Sequence, residues 1–117
     1  MAAPNLASAT ATVNGKTAHL ALTNSASDII AAVATGHCFR VEAVFCANKT
    51  AAAHPVTVYH KASATSYEIA YQMSVPGNAT INVLDGKILY LEEGDSLTGL
   101  SDASTQIVAT APYEDVS

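Results

Sequence analysis

The longest apolar run in the chain is HCFRVEAVFCAN, at residues 37–48, and read with a period of two it separates into two rows. Phe39, Val41, Ala43 and Phe45 form an unbroken apolar row, whereas Cys38, Val44 and Cys46 share the other face with Arg40 and Glu42. Side chains alternate between the faces of a strand, so a row of β-branched and aromatic residues predicts a strand with one fully buried face. That row holds the only two phenylalanines in the chain. Large rings dominate core energetics, which places Phe39 and Phe45 near the middle of the core and this strand centrally among its neighbours.

The same pattern predicts elements on either side. TAHLALT at 17–23 alternates, with Ala18, Leu20 and Leu22 on one side, and Asn24-Ser25 ends it. SDIIAAV at 27–33 reads as a second short strand, with a helical turn as the rival reading because of its alanines. After residue 48, KTAAAH is a loop, and Pro55 fixes its exit into the strand VTVYHK at 56–61. SATS turns the chain into YEIAYQM at 67–73, where Tyr67, Ile69, Tyr71 and Met73 share a face. Pro76-Gly77-Asn78 is a strong turn signal, and Asp85-Gly86 is the best hairpin turn, joining ATINVL at 79–84 to ILYL at 88–91. Residues 92–96 turn, 97–100 form a short strand, 102–104 turn again, and QIVATA at 106–111 begins a last strand whose continuation to Tyr113 is left open.

Strands of this number and length, about eight or nine in all and parted by Gly, Pro, Asn, Asp and Ser, predict an all-β fold. The expected architecture is an antiparallel β-sandwich, a jelly roll or another Greek-key arrangement, occupying residues 17–117 as a single domain. Phe39, Val41, Phe45, Ile69, Tyr71, Val83, Leu89 and Ile107 are its expected core, and Phe45→Ala is expected to cost about 3–5 kcal/mol, as for buried aromatics generally. Residues 1–16 have hardly a large side chain and read as an extended N-terminal arm that orders against a neighbouring subunit, with Asn14-Gly15 as a candidate hairpin turn.

Composition narrows the function. Half of the 117 residues are apolar, but aromatics make up only 6%, so the interior is expected to be thin and built of small side chains with Val, Ile and Leu. Five basic residues against ten acidic ones, net −5, are spread along the chain, whereas a nucleic-acid binder clusters its Lys and Arg to displace counterions. Direct nucleic-acid binding is therefore not expected, nor is an anionic membrane surface. The N-terminus shows no basic and apolar regions of a signal peptide, and no run approaches the about 18 apolar residues of a bilayer span. Synthesis in a cytoplasm follows as the expectation. Without a secretory signal, Asn48-Lys49-Thr50 and Asn78-Ala79-Thr80 read as two polar turns, not glycan acceptors.

The residues that could carry chemistry form no recognisable constellation. On one continuous strand Cys38 and Cys46 lie about 26 Å apart at about 3.3 Å per residue, far beyond the about 7 Å a disulfide spans, so they read as small free thiols. His19, His37, His54 and His60 have no zinc spacing and read as surface or loop residues. No serine sits in a nucleophile elbow and no Gly-rich phosphate loop exists. Glu92, Glu93 and Asp95, and likewise Glu114 and Asp115, read as solvated acidic turns because the calcium-loop pattern is missing. No catalytic residue, cofactor or metal ligand is assigned. A carbohydrate-binding module would present an aromatic platform, and the chain has no Trp.

The second half of the chain carries a resemblance. From VTVYHKASATSYEIAYQMSVPGNATINVL onward, through ILYLEEGDSL at 88–97 to the terminal YEDVS, it resembles a group of small tailed-bacteriophage virion proteins. The likeness begins near Phe39 and covers about two-thirds of the chain, and ILYLEEGDSL is its most specific piece; the arm and the alanine-rich strand lie outside it. It implies a non-enzymatic β-sandwich of the virion. The leading expectation is a capsid cement or decoration protein that binds the major capsid protein, and the alternative is a tail, neck or fibre component. So apolar a chain with so few charges is expected to bury surface in a symmetric homo-oligomer, with a trimer preferred over a dimer because a cement protein gains most at threefold lattice positions.

Overall fold

The computed structural model describes residues 12–102 and 106–117, and among them every regular element is a β-strand. In chain order these are β1 (Val13–Ala21), β2 (Ser27–Ile30), β3 (Cys38–Val41), β4 (Phe45–Asn48), β5 (His54–Ala62), β6 (Thr65–Val75), β7 (Thr80–Asn82), β8 (Leu89–Leu91), β9 (Ser96–Ser101) and β10 (Ile107–Val116). All pairings are antiparallel and sort the strands into two sheets. In the first sheet β10 has β1 along one side and β4 and β3 end to end along the other, with β7 beyond β4 and β8 beyond β3. The second sheet runs β2-β9-β5-β6. The chain therefore alternates between sheets except at three connections: β3 to β4 and β7 to β8 stay in the first sheet, and the β5–β6 hairpin stays in the second, its two-residue connection starting at Ser63 with the positive φ of 58° that such tight turns demand.

The core is a cluster of Leu, Ile, Val and Ala side chains with Cys46, drawn from both sheets. Its fully buried members include Leu22, Leu91, Leu97, Ile107, Val41 and Val58, and no aromatic ring is among them. Of the expected core, Val41, Val83 and Ile107 are buried, while Phe39, Ile69 and Leu89 pack against the cluster at its margin. Phe45 and Tyr71 are not core residues: they are 40% and 66% exposed.

The misplacement of Phe45 has one cause. The expected continuous strand 37–48 is two strands, because Val41 lies opposite Tyr113 and Phe45 opposite Thr110, so that one more residue stands on this side than on β10. This is a β-bulge, and an extra residue reverses the alternation beyond it. Phe39, Val41 and Ala43 keep the expected inward phase; from Val44 onward the inward positions are Val44, Cys46 and Asn48, and Phe45 turns out. The bulge sits across from Pro112, whose carbonyl accepts from the Glu42 N–H at 3.0 Å. A strand residue points its nitrogen and carbonyl to the same side, so the donor that proline lacks falls where the ladder is already interrupted. The neighbouring strand bends to match: β7 and β8 are separated by consecutive turns, and the Asn82 side-chain oxygen accepts from the N–H groups of Val44 and Leu84. Asp85 and Gly86 do turn, with φ of 52° and 79°, yet β7 pairs with β4 and β8 with β3, so the expected hairpin between them does not form.

Tyr71 is exposed for a related reason. The pairing of β5 with β6 shifts register on both sides of Val58, and Gln72 takes a φ of 47°, which breaks the clean alternation read over 67–73. The last strand runs on through Tyr113 to Val116, β2 ends at Ile30, and Pro55 lies inside β5. Asn14 and Gly15 do not turn; they sit within β1, as do Val13 and Lys16, so the arm expected over 1–16 ends in a paired strand. The remainder of that expectation, residues 1–11, and most of the expected turn at 102–104 lie outside the described residues.

Candidate functional site

Two surfaces of the first sheet bring chemistry together. The first is a cleft of about 390 Å³ on its inner face, where β1, β10 and β3 extend beyond the four-residue β2. Its walls are Ile29, Ile30 and the small Ala31, Ala32 and Ala34 of the segment that follows β2. Alanines cover without filling, which is why a space remains. Phe39 and Tyr113 line the cleft as a tilted ring pair, with centroids 4.7 Å apart and planes at 39°.

At one end of the cleft lies Asp115. The inward positions of β10 are 107, 109, 111, 113 and 115, so the apolar row Ile107, Ala109 and Ala111 passes through Tyr113 to a carboxylate. Asp115 is 5% exposed, which corrects the reading of it as a solvated acid. Each carboxylate oxygen has its own partner: His37 Nδ1 lies 2.7 Å from Oδ1, and Lys16 Nζ donates to Oδ2 at 3.0 Å. Burial alone would push the carboxyl pKa up, but the hydrogen bonds and charge of His37 and Lys16 outweigh it and hold Asp115 below the ordinary carboxylate value. The same bond pushes the Lys16 ammonium up. The cleft thus ends in a fixed imidazole and a half-exposed ammonium beside an apolar wall, an arrangement that offers hydrogen bonds to an acceptor. No hydroxyl or thiol of Ser, Thr or Cys is among its lining residues.

The second surface is the outer face of the same sheet. Register places Tyr90, Arg40 and Glu114 side by side across β8, β3 and β10, and Val13 beside Val116 at one end. Phe45 lies on this face opposite Thr110, put there by the bulge. Val13, Phe45 and Tyr90 are 55%, 40% and 45% exposed. Arg40 bridges Glu114 at 3.0 Å and Glu42 at 3.3 Å, and hydrogen bonds to Tyr90 and Glu114 push its pKa further up. A sheet face with separate aromatic and aliphatic side chains around a fixed guanidinium, and a hollow of about 260 Å³ between Val13, Arg40, Tyr90, Glu114 and Val116, is suited to protein contact, where Tyr, Phe and Arg are enriched.

The remaining chemistry-bearing residues hold the fold together. His54 pairs with Asp102 at 2.8 Å and His60 with Asp95 at 3.0 Å, so the histidines read as surface residues are half-buried tethers between segments distant in sequence. The Asp95 carboxylate also accepts from the Glu92 N–H, and that of Glu93 accepts from the Gly36 N–H, tying the acidic turn to the 33–36 loop. Asn48 is no simple polar turn: it is buried, its amide donates to the carbonyls of Ala52 and Val75, and its oxygen accepts from Thr50 N–H and Oγ1. Cys38 and Cys46 are free and buried, on opposite faces, and burial pushes the Cys46 thiol up to about 11. Among the described residues no three of His, Cys, Asp and Glu are grouped to hold a metal.

Asp115 and Lys16 were missed in the sequence because a lone acid and a lone base about one hundred positions apart carry no motif. The parity of the last strand was the available signal, since it puts residue 115 in phase with Ile107. No family model, curated protein or solved structure matches the chain.

Proposed function

We propose that this chain is a non-enzymatic structural protein of a tailed-phage virion, a capsid cement or decoration protein that binds the major capsid protein through the outer face of its first sheet. The observation that carries the reading is that face itself, with Val13, Phe45 and Tyr90 exposed around the Arg40 bridge. The bulge opposite Pro112 takes a phenylalanine that strand periodicity would bury and presents it outward. The resemblance of ILYLEEGDSL to small virion proteins supports the same conclusion. The strand order supports the reading as well: with β3–β4 and β7–β8 each counted as one interrupted strand, both sheets are four strands wide, and we read this order as a jelly roll, an architecture frequent in viral capsid domains.

The test is co-sedimentation of purified protein with phage heads that lack it. Phe45→Asp combined with Tyr90→Asp is expected to leave the melting transition nearly unchanged and to lower binding at least tenfold. Equal binding by the variant would overturn the role of this face. Copy number in the native particle then separates the decoration reading from a tail, neck or fibre component, because decoration requires hundreds of copies and a tail part only a few tens or fewer.

A further inference from the structure

The edges of the two sheets are unequal. β7 and β8 are three residues each, β2 has four residues with a register shift, and β6 is broken by two register shifts. Short strands and bulges are the usual means by which proteins keep an edge from recruiting another strand. β1 has neither: its nine residues pair with β10 in one unbroken register, they include no proline, and no described strand pairs with its other side.

The orientation of its free groups follows from the ladder. Thr12 and Ser117 exchange both backbone hydrogen bonds, at 2.7 and 2.9 Å, and Leu22 donates to Ile107 at 2.8 Å. In an antiparallel pair such residues alternate, so the even-numbered residues of β1 spend their N–H and C=O groups on β10. The odd-numbered ones, Val13, Gly15, Thr17, His19 and Ala21, direct theirs to the open edge. Their side chains lie on the outer face and are small, β-branched or polar, apart from His19. The single charge of the strand, Lys16, is on the inner face and is bound to Asp115.

We infer that this edge pairs with the same edge of a second copy of the chain, antiparallel and about a two-fold axis, to give one sheet continuous across the dimer. Two-fold symmetry permits only registers in which residue numbers sum to a constant, and the free groups require odd residues to face odd. Centring the axis on Lys16 sets two lysines directly opposite, which is unfavourable. Centring it on Thr17 uses the whole strand: Thr17 faces Thr17, Gly15 faces His19, Val13 faces Ala21, and every free N–H and C=O finds a partner. Lys16 then lies across from Ala18 of the other copy, each lysine neutralised by its own Asp115. A threefold arrangement cannot pair an edge with itself, so this geometry favours a dimer as the unit. The inference stands independently of the virion reading.

Amide hydrogen exchange across a protein dilution series, read with light scattering, tests it. At high concentration the N–H groups of Thr17 and His19 are expected to be protected as strongly as those of Lys16 and Ala18, and on dilution to the monomer to lose that protection while the even-numbered ones keep theirs. Thr17→Pro removes an edge-facing N–H and no bond to β10, so it is expected to give a folded monomer. Thr17→Lys, which places like charges at the axis without altering the backbone, is expected to do the same. A chain that is monomeric at several hundred micromolar, or one whose dimer survives both substitutions, would overturn the inference.

Discussion

Along one side of β10, strand β1 keeps register for nine residues; along the other, β3 and β4 share the strand between them and lose a residue of register at Pro112. Alternation predicts the inner row Ala18, Leu20 and Leu22 on the first side without error. On the second it holds as far as Ala43 and is inverted from Val44 on. The two flanks show that a period-two reading is a statement about continuous pairing. A single inserted residue exchanges core and surface for everything beyond it.

The sharpest way to break this comparison is to place the same charge on two adjacent residues. Val44 is fully buried, and Val44→Asp would strand a carboxylate in the core at a cost of about 3–5 kcal/mol, most of the stability of a domain this size. Phe45→Asp, one residue along, is expected to cost less than about 1 kcal/mol because the side chain stands on the outer face. Urea unfolding of the two variants decides it; similar losses would mean that the bulge is elsewhere.

The two Asn-x-Thr sites offer a second contrast, of middle size. Asn48 follows the inverted phase inward, and Asn48→Ala would leave the Val75 carbonyl and neighbouring loop groups without partners, a loss of about 2–3 kcal/mol. Asn78→Ala removes an exposed side chain and costs about 1 kcal/mol through its positive φ of 56° alone. Thermal melts that rank them in the other order would contradict the hub role of Asn48.

The smallest effect lies at the end of the regular flank. Asp115 titrates below its ordinary value of 3.8 in the folded chain, so its pairing with His37 and Lys16 contributes stability above that pH, which is lost as pH falls through the depressed folded value. Asp115→Asn is therefore expected to be less stable than the native chain at pH 7 and to converge with it near pH 2. A gap that persists unchanged at pH 2 would show that packing, and not the charge pair, sets the contribution.

Much of this was legible in the sequence and some was not, for a physical reason. Turns marked by Pro76-Gly77-Asn78 and Ser63, and strands such as β5, β9 and β10, depend on local preferences that a sequence carries in place. Gly77 answers in addition to a distant neighbour: a Cβ there would collide with the Ala51 carbonyl. The bulge depends on Pro112 meeting Glu42 across the sheet, and the burial of Asp115 depends on Lys16 and His37 arriving from two other segments. Those relations come into being only once the strands have paired. Asp95, His54 and His60 follow the same rule, because each side chain looks solvated until its distant partner is known, whereas His19 and Glu92 are exposed as expected.

The inverted phase can be measured most directly at Cys46. Unbroken alternation would set its thiol on the open face with Arg40 and Glu42, whereas the bulge buries it fully and burial pushes its pKa up to about 11. In a Cys38→Ser background the rate of modification by a thiol reagent at pH 8 reports the difference. The account predicts that Cys46 reacts only as fast as the chain unfolds, while the thiol introduced by Phe45→Cys in a chain lacking Cys38 and Cys46 reacts at once. Immediate reaction of Cys46 in the folded protein, with a silent thiol at position 45, would contradict it.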